Sequence, residues 1–67
     1  MSTLANARDV LRLMARLQRD LTVTDVAGAL DLPKSSVSRT LSMMADYGFL
    51  DRDPTSRAYR PGELVME

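Results

Sequence analysis

The run Lys34-Ser35-Ser36-Val37-Ser38-Arg39-Thr40-Leu41-Ser42 gathers short hydroxyl side chains and two cations into one short stretch. Hydroxyls donate and accept at close range, and a guanidinium presents a planar fork of donors. That chemistry suits phosphate oxygens and, inside a duplex major groove, base edges. Arg39 has the reach to bond a guanine O6 and N7 together, or a single phosphate. On a helix turning about 100° per residue, Val37, Leu41, Met44 and Gly48 fall on one side. Ser35, Arg39, Ser42 and Asp46 fall near the opposite side, flanked by Lys34, Ser36, Ser38 and Met43. A face needing only solubility would favour Glu, Lys and Gln, which are better helix formers than Ser. The expected DNA-contacting set on this helix is therefore Lys34, Ser35, Ser36, Ser38, Arg39 and Ser42. Single members also have plainer uses. Ser35 or Ser36 can bond free N–H groups of the first helical turn, and Arg39 can pair with Asp46.

A second cationic group lies downstream. Arg57 falls at the tip of an expected hairpin, with Arg52 and Arg60 on its flanking strands. Such a wing can lay an arginine along the phosphates or into the adjacent minor groove, and Arg57 is the expected contact. For Arg52 and Arg60 the alternative is equally open: they solvate the hairpin and offset Asp51 and Asp53. Tyr59 and Leu50 are expected to anchor the hairpin to the helices.

Other chemistry is poorly supported. The chain has no Cys and no His, which removes disulfides, thiolate zinc sites and imidazole metal sites. The commonest general base and the softest nucleophile are missing too. Carboxylate-only catalysis needs a pocket that 67 residues hardly enclose. No catalytic residue, metal site or cofactor is expected. There is no signal peptide and no apolar run near the ~18 residues of a membrane span, so a soluble cytoplasmic protein is expected.

Charge at first argues against nucleic acid, because nine Lys and Arg balance nine Asp and Glu. Placement partly answers this. Over residues 32–62, Lys34, Arg39, Arg52, Arg57 and Arg60 face Asp46, Asp51 and Asp53, a local excess of +2. So small an excess predicts weak non-specific binding and a modest salt dependence for one copy.

The elements that must position these residues follow from periodicity and turn chemistry. Leu4, Ala7, Val10, Leu11, Met14 and Leu17 recur at helical steps over residues 4–18, with Arg8, Arg12 and Arg16 on another face. Leu13 falls roughly 100° off that stripe, which marks it as exposed or partner-facing. Leu21-Thr22-Val23 reads as a brief strand. Thr24 reads as the N-cap of a helix reaching Leu30, with Asp25 in its first turn. Pro33 suits the first position of a third helix that runs to about Tyr47 and stops at Gly48. Extended segments at 49–53 and 58–60, joined by Pro54-Thr55-Ser56, make the hairpin. The five methionines read as core filler or chain start.

Between the second and third helices, Ala27, Asp31 and Val37 carry the spacing of a helix-turn-helix. Ala27 keeps the helix crossing close, Asp31 tolerates the positive φ of the turn, and Val37 plugs the gap between the helices. The expected fold is mainly α with a small β-hairpin: a winged helix-turn-helix of three helices plus a two- or three-stranded wing.

Three runs carry a family resemblance: LTVTDVAGALDLPKSSVSRTL (21–41), YGFLDRDP (47–54) and AYRPG (58–62). They resemble the N-terminal DNA-binding domain of IclR-family transcription regulators, which typically reads LTLxELAxxxGLPKSTVHRLL, then GYLxxDP and YRLG. Three positions depart from that pattern: Ser38 stands for a frequent His, Asp31 for the turn glycine, and Pro61 for the Leu before Gly62. The resemblance implies a homodimer, or dimer of dimers, on a palindromic operator in double-stranded DNA. Helix one and the segment after the wing would help to dimerise. It further implies a separate C-terminal domain binding a small-molecule effector. On this reading residues 1–67 are the DNA-binding domain, whether excised or a stand-alone regulator, and 63–67 begin a linker to an effector domain that is absent. Two alternatives remain at this point: a winged-helix module that binds protein, favoured if the exposed face of helix three is electronegative or if Leu13 and Met43 form one apolar patch, or another winged-helix regulator family such as the MarR-like proteins.

Overall fold

A computed structural model of the chain describes residues 3–62. They form α1 (Thr3–Leu17), α2 (Val23–Leu30), α3 (Lys34–Asp46) and an antiparallel hairpin of β1 (Leu50–Arg52) and β2 (Tyr59–Pro61). The hairpin register pairs Leu50 with Pro61, Asp51 with Arg60 and Arg52 with Tyr59. This is the expected winged helix-turn-helix. The expected linker at 63–67 lies outside the described residues.

α1 packs against both α2 and α3, and this changes which of its leucines are covered. Leu13, expected on the surface, is 3 % exposed beside Val10 and Met14. Leu4, expected in the core stripe, is 80 % exposed and Leu17 40 %. A helix wedged against two neighbours needs a wider apolar face than one stripe, and its two ends overhang the small core. Leu13 joins the core together with Leu21, Val26, Ala27, Val37, Leu41, Met44, Leu50 and Tyr59.

The segment 21–23 is not a strand. Leu21 makes one isolated bridge to Tyr59, with N–H···O distances of 2.9 and 2.7 Å in the two directions, and Val23 already begins α2. The sheet is therefore two-stranded with a single residue added. Thr22, not Thr24, caps α2: its Oγ1 accepts from the Asp25 amide at 3.2 Å, and the Asp25 carboxylate accepts from the Thr22 amide at 3.0 Å. The reciprocal box needs an acceptor three residues after the cap. Thr22 finds Asp25 there, whereas Thr24 finds only Ala27. That geometry outweighs the β-preference of the Leu-Thr-Val run.

Asp31 takes φ 55° and ψ 50° at the end of α2, the left-handed turn its position required. The Ala27 carbonyl accepts from both the Asp31 and Leu32 amides there. Pro33 stands one place earlier than expected, as the N-cap of α3: its ψ of 141° is extended and its carbonyl accepts from the Val37 amide at 3.1 Å. Gly48 leaves α3 at φ 85°, a conformation that glycine adopts without cost. At the wing's exit a Cβ on Gly62 would lie 2.5 Å from the Gly48 carbonyl oxygen. The two glycines let the ends of the hairpin close on the foot of α3.

Candidate nucleic-acid interface

α3 separates its residues by face as the periodicity required. Val37, Thr40, Leu41 and Met44 are buried. Lys34, Ser35, Ser38, Arg39 and Ser42 are exposed and Ser36 is half-buried. Ser35 and Ser36 do not cap α3, whose N-cap has no side-chain hydrogen bond. Among the described residues Arg39 forms no salt bridge, with Asp46 or otherwise. Its guanidinium is left to solvent or a ligand.

The wing is built around Asp53. Its carboxylate accepts from the Thr55 amide at 3.2 Å and from the Ser56 hydroxyl at 2.8 Å, while the Ser56 oxygen accepts from the Ala58 amide at 3.2 Å. The Ser56 hydroxyl, followed by the Thr55 amide, holds the Asp53 carboxyl below its ordinary pKa. The Arg57 amide donates to the Asp53 carbonyl at 2.8 Å, and Arg57 sits at φ 62°. The turn thus fixes where Arg57 leaves the tip while its side chain stays exposed.

The three wing arginines have different surroundings. Arg60 pairs with Asp20 at 3.5 Å, across the Leu21–Tyr59 bridge. Arg52 lies 5.8 Å from the centroid of the Tyr59 ring, as a cation does over an aromatic face. Arg57 has no carboxylate partner among the described residues. Tyr59 and Leu50 are buried, 4 % and 1 % exposed, and anchor the hairpin as expected.

Between the start of α2, α3 and the hairpin lies a cleft of about 470 Å³. It brings together Ser38, Ser42 and Arg57 from the expected set; Lys34, Ser35, Ser36 and Arg39 lie outside it on the open surface of α3. Its walls also include Thr22, Thr24, Arg52 and Ser56, of which only Arg52 stands out in the sequence as a possible contact. The wrong helix cap concealed Thr24. A count of three from each threonine to its acceptor would have assigned the cap to Thr22 and left the Thr24 hydroxyl free. Among the described residues no carboxylate lines the cleft, so a chain of zero formal charge still presents a locally cationic surface.

The IclR helix-turn-helix domain family matches residues 3–54. The chain belongs to that family. Solved structures share its fold, two IclR regulators among them. An IclR transcriptional regulator from Alicyclobacillus acidocaldarius is 32 % identical with a TM-score of 0.89, over 96 % of this chain and 26 % of its own. An IclR family transcriptional regulator from Brucella abortus is 27 % identical with a TM-score of 0.90, over 98 % of this chain and 25 % of its own. The chain thus spans about a quarter of the length of either regulator. A search of curated proteins finds no significant match. IclR membership identifies the fold as the DNA-binding domain of a transcription regulator, a class that is not enzymatic. It also decides against the MarR-like alternative. Among the described residues no helix is long and apolar enough to cross a membrane.

Proposed function

We propose that this domain binds a specific duplex operator with the Lys34 to Ser42 face of α3 in the major groove and the Arg57 wing on the flanking backbone. The observation that carries the reading is the division of α3, with Ser35, Arg39 and Ser42 uncovered while Val37, Leu41 and Met44 are held in the core. Ser35, Ser36, Ser38 and Ser42 approach phosphates or base edges at short range, Lys34 neutralises phosphate, and Arg39 reads a base. The capped start of α2 and the tight Asp31 turn hold α3 at the angle this docking needs.

The operator is palindromic and read by a homodimer. Support for self-association comes from an apolar groove of about 700 Å³ along α1, lined by Leu4, Ala7, Leu11, Met44 and Phe49. Leu4 is 80 % and Phe49 40 % exposed there, and a small domain without disulfides gains stability from such association. The domain works in the cytoplasm, where its DNA lies, and any small-molecule effector acts through a separate domain. A protein-binding role loses support on both counts: Leu13 is buried and forms no surface patch with Met43, and the exposed face of α3 carries Lys34 and Arg39 against Asp46 alone.

The test is selection of bound duplexes from a random pool, followed by Arg39→Ala. If Arg39 reads a guanine, the variant loses about 1–3 kcal/mol on the selected duplex and tolerates substitution at one base pair. Unchanged affinity at fixed salt would remove Arg39 from the interface, and failure of the wild-type chain to enrich any sequence would sink the proposal.

A further inference from the structure

The cleft between α3 and the hairpin holds more free donors than the wing tip alone supplies. Two of its hydroxyls already serve the fold: the Thr22 oxygen accepts from the Asp25 amide, and Ser56 donates to Asp53 and accepts from the Ala58 amide. Thr24, Ser38 and Ser42 are exposed, and none of them has a side-chain hydrogen bond among the described residues. Arg52 and Arg57 add two guanidiniums to the same walls, with no carboxylate among the described lining residues. Three hydroxyls and two permanent cations facing one space select an anion.

Arg52 is the best prepared of these groups. Its guanidinium lies 5.8 Å from the Tyr59 ring centroid. That ring is itself fixed, being 4 % exposed on a residue whose backbone bonds Leu21 in both directions. A cation held on a rigid platform loses less freedom when it binds. Arg60, one residue along β2, is drawn to Asp20 and contributes nothing to the cleft.

We infer that this cleft seats one backbone phosphate of the duplex, with Arg52 as the main cation and Thr24, Ser38 and Ser42 as hydroxyl partners. The inference rests on the duplex-binding reading above and assigns Arg52 and Thr24 to it. The seat is sequence-blind: it sets how far α3 enters the groove, while Arg39 reads the bases. Its donors come from three separate elements of an open surface, which matches a strand passing between them more closely than a small ion enclosed on all sides.

The test compares Arg52→Ala with the wild-type chain on the selected duplex and on an unrelated duplex of equal length, over a range of salt. Binding to both should weaken by roughly tenfold, the loss expected for one charge-assisted contact. The slope of log affinity against log salt should become shallower by about 1, with the order of sequence preference unchanged. Arg52→Lys should restore the slope. A purely structural role over Tyr59 would lower the melting temperature and leave that slope alone. Thr24→Val keeps the Thr22 cap and should weaken both duplexes as well. Single methylphosphonate linkages then locate the seat: one neutral linkage weakens wild-type binding, and Arg52→Ala is indifferent to it. The inference is overturned if Arg52→Ala keeps the wild-type slope and the same sensitivity at every neutralised linkage. A wild-type chain that binds neither duplex would instead remove the reading beneath it.

Discussion

α3 and the hairpin both present cations beside hydroxyls, but they hold them in different ways. On α3 the backbone alone orients the side chains: a 3.6-residue repeat sends Val37 and Leu41 inward and Arg39 outward, and Arg39 has no salt bridge among the described residues. On the hairpin the arginines are held by other side chains, Arg52 over its cross-strand neighbour Tyr59 and Arg60 against Asp20 from beyond the hairpin. On the proposed reading the helix is a rigid reader whose contacts follow from its own repeat. The wing is a short ribbon whose reach is set by what it is tied to.

The sharpest way to break this contrast uses two adjacent residues of α3. Leu41 is fully buried, so Leu41→Ala should cost about 2–5 kcal/mol of stability, a large share of what so small a domain possesses. Ser42→Ala next to it should leave thermal unfolding nearly unchanged and weaken duplex binding. If the two variants affect unfolding alike, the helix is not divided as described.

On the wing the comparison is Arg57→Ala with Arg60→Ala. Loss of Arg57 should weaken binding to all duplexes alike and lower the salt slope by about 1. Loss of Arg60 should leave that slope in place and change stability by at most about 1 kcal/mol, since its ion pair with Asp20 is solvent-exposed. Equal binding losses would show that the Asp20 pairing does not withhold Arg60 from DNA.

A smaller effect concerns the seat of α2, on which both regions rest. Thr22→Ala should cost about 1 kcal/mol, read from denaturant midpoints, whereas Thr24→Ala should cost little stability. The Asp25 carboxyl is held below its ordinary pKa, chiefly by the Thr22 amide, with Thr22 Oγ1 and Arg19 assisting. Its folded pKa is depressed, so its contribution is present above the unfolded value and is lost as the pH falls through the folded one. Stability should therefore decline below about pH 3.9, and Asp25→Asn should reduce that acid sensitivity.

Much of this arrangement was legible in the residues. The division of α3 needed only the helical repeat, and the Ala27, Asp31 and Val37 spacing located the turn, because local backbone geometry decides both. The capping of α2 was legible too, in the three-residue step from Thr22 to Asp25, but it competed with a plausible strand over the same residues. Leu13 and Leu4 were different. Their exchange of places depends on α1 meeting two helices at once, and no count along α1 contains that information.

The amino-acid sequence by itself determined the order of elements, the helix-turn-helix spacing and the polar face of α3, since each depends on contacts within a few residues of chain. Only the tertiary structure decided which leucines of α1 are covered, which wing arginines are occupied, and that Thr24, Ser42 and Arg52 share one cleft. Those outcomes are set where segments far apart in sequence pack together, and their distances arise from the closing of the core.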